Sequence, residues 1–182
     1  ISGTIDASGG DFVTLIADQT TVGHTGRLGL VGGTFNGNLI SQIYHDPSGN
    51  QTNWALIGAA GVTGATFAYW DNSFLITCPG CVDGDGSSQN SGTPFTSIDA
   101  YDETLGAGDP DGSGHYVGIN STADPITIGH GFWVYMGTSQ PQSATPGELI
   151  SVTGPAQTGS FSWNLTNSNG GAATDGFNSL AN

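Results

Sequence analysis

The chain has 182 residues, with 15 acidic side chains against a single basic one, Arg27, and a formal net charge of −14. One cation and no lysine cannot neutralise a run of phosphates, which excludes nucleic-acid binding, attachment to anionic lipid and a lysine-based nucleotide cradle. Only 9% of residues are charged, against about 25% in an average soluble domain, so the imbalance comes from missing bases and not from crowded acids.

Helical periodicity is nearly absent, while short apolar runs bounded by Gly, Asn, Asp, Ser and Pro recur along the chain. The Gly/Ser-rich opening, residues 1–11, reads as an N-terminal extension, and 12–182 as a single β-sandwich domain. Strands are expected at 12–17, 28–32, 39–44, 54–59, 65–70, 73–77, 96–102, 115–120, 131–136, 148–153, 160–166 and 175–180. The fold class is all-β, a jelly-roll-like sandwich of about a dozen short antiparallel strands. In 160–166, Phe161, Trp163 and Leu165 alternate with polar residues, as in a strand covered on one face. The run Gly131–Met136 is apolar on both faces, which places it in the middle of a sheet. No apolar run is long enough to span a membrane as a helix.

The chemistry-bearing residues lie in the turns. Cys78-Pro79-Gly80-Cys81 reads as a small structural disulfide, which favours an oxidising, extracellular setting. A redox dithiol would need a helix N-terminus or a nearby cation, and zinc would need four ligands at finger-like spacing; neither is legible. Asp83, Asp85 and Ser87 form one Asp-x-Asp-x-Ser run, and Asp109, Asp111 and Ser113 form another. Alternating hard oxygens on a turning loop suit Ca²⁺, although the glutamate that closes an EF-hand is replaced by Pro94 and Asn120. Both runs also read as solvated turns.

The four tryptophans mostly read as core, with Trp70 and Tyr69 beside a turn as the residues expected to be exposed for stacking on a ligand. Catalysis has no legible constellation. There is no Gly-x-Ser-x-Gly, His115 and His130 lack a nucleophile partner, and the neighbours Asp102 and Glu103 point to opposite faces of a strand. The chain is therefore expected not to be an enzyme. Asn50, Asn120 and Asn164 begin glycosylation triplets, which are frequent by chance in so Asn- and Ser/Thr-rich a chain.

Several segments in order resemble a recurring module of large secreted cell-surface proteins of the Bacteroidota type, exported by the type IX system. They are Thr52–Ala59 with Ala65–Phe74, then Ser97–Glu103 with Ile126–Tyr135, then Thr153–Leu165 with Asp175–Asn182. His130 stands where that family commonly has lysine, and the last segment ends before the family's Pro-Tyr-Pro. The similarity covers roughly 12–182 and implies secretion, surface exposure and a structural or adhesive role; the chain is then expected to be a fragment, a processed product or a subunit. The expected function is an extracellular structural or adhesive protein, a unit of a surface assembly or filament. Self-association would run through strand edges at Ile1, Ile5, Phe12, Val13 and Leu15, where lysine gatekeepers are missing. The alternative is a calcium-assisted carbohydrate-binding module, which requires an exposed aromatic row beside one of the Asp loops.

Overall fold

The computed structural model describes residues 3–17, 33–45, 54–59, 61–74, 76–81, 96–102, 104–105, 113–135, 148–158, 162 and 164–165. Among these lie seven strands: β1 (Thr4–Leu15), β2 (Thr34–His45), β3 (Trp54–Ile57), β4 (Ile98–Tyr101), β5 (Tyr116–Gly118), β6 (Phe132–Tyr135) and β7 (Glu148–Pro155). They form a three-stranded sheet in the order β1-β2-β7 and a four-stranded sheet in the order β3-β6-β4-β5. The class is all-β and sandwich-like, with seven strands among the described residues in place of about a dozen. No helix among the described residues is long and apolar enough to cross a membrane.

Alternation builds the three-stranded sheet. Phe35, Leu39, Ser41 and Ile43 of β2 point inward, and Val152 and Ile150 of β7 stand opposite Ser41 and Ile43. On the other side Ile5, Val13 and Leu15 of β1 face Phe35, Leu39 and Ser41. This last pair is parallel, a departure from the all-antiparallel expectation. The segment 16–33 between the strands is long enough for the crossover that a parallel pair needs.

β1 is also longer than expected. Residues 4–11, read as an extension, are continuous with 12–15 in one strand interrupted by an irregularity at Ser8–Asp11. The Asp6 carboxylate accepts the Ser8 backbone N–H at 3.0 Å there, and the Ser8 hydrogen bonds hold the Asp6 carboxyl below the usual range. Opposite the irregularity, Gly37 has φ +102° and lies so close to β1 that a Cβ would sit 2.5 Å from the Ala7 carbonyl.

Two further runs expected as strands differ. Residues 65–70 and 73–77 contain the one-turn helix α1 (Ala68–Asp71) and the turns around it. The Phe67 and Ala68 N–H groups are taken by the Asp124 and Thr122 carbonyls, and a helical turn brings Phe67 and Trp70 to one face. Both are buried with Phe132, the Phe67 ring centroid 5.3 Å from Trp70 and 5.0 Å from Phe132. This aromatic cluster joins Leu39, Ile150, Ile98 and Val134 in the core shared by the two sheets. Each such side chain removed from water contributes about 1.5–3 kcal/mol. The runs at 28–32 and 175–180 lie outside the described residues, as does most of 160–166.

Candidate functional site

Cys78 and Cys81 form the expected disulfide, both side chains buried, with the Cys81 N–H donated to the Cys78 carbonyl at 3.1 Å. The turn is anchored to the start of β4, where Ser97 donates its N–H to Thr77 at 3.0 Å and accepts the Thr77 N–H on Oγ at 2.9 Å. Of the calcium candidates, Asp83, Asp85, Ser87, Asp109 and Asp111 lie outside the described residues. Ser113 opens the 3-10 turn Ser113–His115, and its side chain is likewise outside them. Among the described residues no group of three or more His, Cys, Asp or Glu side chains converges as a metal site would.

The stacking expectation fails for Trp70, which is fully buried. The short apolar run 65–70 implies a strand that ends at a turn; the helical turn instead rotates Trp70 into the core. Tyr69, on the solvent side of the same turn, is 36% exposed. Of the assembly candidates, Ile1 is outside the described residues, while Ile5, Val13 and Leu15 pack against the core and Phe12 is exposed.

The exposed aromatics lie elsewhere, on the outer face of the four-stranded sheet. Trp133 is 40% exposed on β6, flanked in register by Leu56 of β3 and Asp99 of β4. The half-buried Trp54 ring lies nearly parallel to Trp133, with centroids 6.1 Å apart and planes 11° apart, and Tyr135 tilts against Trp54 at 5.3 Å. Across β4, Tyr101 and the exposed Tyr116 meet edge to face at 5.4 Å. β6 is central in its sheet, as its apolar composition implies, yet Trp133 on its outer face is exposed. The signal available in the sequence was Trp54-x-Leu56 and Trp133-x-Tyr135, large residues alternating with the small or branched Ala55, Ile57 and Val134.

One carboxylate belongs to this face. Asp99 Oδ1 accepts the Thr96 hydroxyl at 2.8 Å, and partial burial raises the Asp99 pKa more than that bond lowers it. Gly118 stands opposite Asp99 in β5, and a Cβ there would collide with Thr96, so the glycine makes room for the bond. At the far end of β4, Asp102 accepts both the N–H and the hydroxyl of Thr104, at 2.9 and 2.6 Å. Those bonds, with the fields of His115 and His130 adding to them, hold its carboxyl below the usual range.

His115 is buried against Tyr101, ring centroids 5.2 Å apart, with Nδ1 3.2 Å from the Asp102 carbonyl. A carbonyl only accepts, so Nδ1 carries the proton in that bond; among the described residues the buried Nε2 has no hydrogen-bond partner. For His130, burial lowers the pKa and Asp102 opposes that shift. These groups surround a loop base. Compared with known protein families, curated proteins and solved structures, the chain matches none.

Proposed function

We propose that the chain is an extracellular surface domain with a structural or adhesive role, one unit of a larger assembly joined through the outer edge of β1. The resemblance to secreted type IX surface modules belongs to the same reading. The observation that carries it is an asymmetry between the two edges of the three-stranded sheet.

The β7 edge is covered. Thr63 donates its N–H to the Pro155 carbonyl at 2.9 Å, Gln157 donates to Gly61 at 2.7 Å, and the Ser73 hydroxyl donates to Leu149 at 3.2 Å. The β1 edge has no such cover among the described residues. Its first half carries the usual protections, the irregularity at Ser8–Asp11 and the exposed Asp6 and Asp11. Its second half, from Phe12 to Ile16, carries no charge, and Phe12 and Ile16 are 51% and 74% exposed. An unprotected edge of this kind pairs with the sheet edge of a second copy. The disulfide supports an oxidising compartment.

The test is sedimentation velocity with electron imaging of the full chain, repeated for Phe12→Lys combined with Ile16→Lys. The wild type is expected to form oligomers or filaments that grow as salt screens the net charge of −14. The double variant is expected to remain monomeric with an unchanged melting temperature. A wild type that stays monomeric at every salt concentration overturns the proposal, as does a double variant that assembles equally well.

A further inference from the structure

The open face of the four-stranded sheet is independent of the β1 edge and calls for a partner of its own. Trp133 and Leu56 stand side by side in register and are 40% and 49% exposed. Trp54 of β3 stacks beside Trp133, and Tyr135 tilts against Trp54, so the platform is pre-set by ring contacts and needs little ordering on binding. On the opposite flank Asp99 is fixed beside Trp133 by its bond from Thr96 to Oδ1, and among the described residues Oδ2 has no protein partner.

We propose that this face binds a neutral glycan, with Trp133 as the surface on which a pyranose ring stacks and Asp99 as the acceptor for a sugar hydroxyl. Three observations choose this occupant. A tryptophan face is electron-rich and attracts the polarised C–H bonds of a sugar ring, while the nearby carboxylate needs a donor. A chain of net charge −14 with a single cation repels acidic polysaccharides, phospholipid headgroups and nucleic acid. A cationic ligand would be held by rings placed around it, as in an aromatic cage. Here Trp54 and Trp133 are nearly parallel, a flat surface in place of a cage.

The experiment is affinity electrophoresis of the full chain through gels containing a neutral β-glucan, a neutral mannan, anionic alginate, or no polymer, with a polylysine peptide titrated separately by tryptophan fluorescence. At least one neutral polymer is expected to retard the wild type, and alginate is not. Trp133→Ala is expected to weaken binding about tenfold or more, as truncating an aromatic anchor does. Trp133→Tyr should keep part of the affinity, which separates loss of stacking from loss of fold. Asp99→Ala should weaken binding and Tyr69→Ala should leave it unchanged. Phe12→Lys combined with Ile16→Lys should bind like the wild type, so failure of the assembly reading and failure of this one are told apart. No retardation by either neutral polymer, undiminished binding by a folded Trp133→Ala variant, or saturable binding of polylysine alone overturns the proposal.

Discussion

Both sheets send alternate apolar side chains into one core, and they differ in what they leave outside. The three-stranded sheet has the longer strands, and its reactive feature is backbone, the edge of β1 from Phe12 onward, uncovered among the described residues. The four-stranded sheet has strands of three or four residues, and its reactive feature is side chain, the ring surface of Trp133, Trp54 and Tyr135. A backbone edge recognises another strand with little regard to sequence, whereas an aromatic face recognises shape and polarity. One chain can therefore carry an assembly surface and a binding surface without either interfering with the other.

The largest expected effect breaks the first sheet alone. Gly37→Ala places a Cβ 2.5 Å from the backbone of Ala7 in a residue at φ +102°, and backbone cannot step aside as a flexible side chain can. The expected cost is about 3 kcal/mol, read by urea unfolding. Hydrogen exchange should show β1 losing protection first while β4 and β6 keep theirs. Equal loss across both sheets would show that the two unfold as one unit and that the division drawn between them has no energetic counterpart.

The converse experiment acts on the second sheet. Reducing Cys78–Cys81 frees a turn that is hydrogen-bonded to the entry of β4 through Thr77 and Ser97. The loop it closes is short, so chain entropy gives about 2 kcal/mol. Urea unfolding with and without reductant measures this, and the protection lost should map to β4 and its neighbours, leaving β1–β2 intact.

The sequence pattern foretells the sheets better than their surfaces. The pattern of short apolar runs bounded by turn residues locates β2, β3, β4, β6 and β7, because each of these sends apolar side chains into the core. It misreads 65–70, where Phe67 and Trp70 satisfy a helical turn as well as a strand, and the choice falls to tertiary bonds from Asp124 and Thr122. It cannot see that β1 runs parallel to β2, since an apolar run carries no direction. The sequence reads the tryptophans mostly as core and points to Trp70 and Tyr69 for stacking, whereas Trp133 is the exposed one among the described residues, because burial of a tryptophan depends on which neighbours cross over it. The disulfide is legible because its partners are so close in sequence.

The smallest expected effect contrasts the two ends of β4. Asp99 has its carboxyl pushed up by burial and Asp102 has its carboxyl pulled down by Thr104, so the two contribute to stability with opposite signs. For Asp99 the folded pKa lies above the ordinary 3.8, so its favourable contribution is complete below 3.8 and is lost as pH rises through the folded value. Asp99→Asn keeps an acceptor for Thr96 and removes the disfavoured charge. It should be more stable than the wild type at pH 7, with the advantage gone below pH 3.8. For Asp102 the folded pKa lies below 3.8, so its contribution is present above 3.8 and is lost as pH falls through the folded value. Asp102→Asn replaces a charged acceptor of two Thr104 bonds by a weaker neutral one. It should be slightly less stable at pH 7 and converge on the wild type in acid. Urea midpoints for both variants between pH 3 and 7 give the comparison. Two curves bending the same way would mean that Asp99 is more hydrated than its place beside Trp133 implies, and would weaken its assignment as a fixed acceptor on the aromatic face.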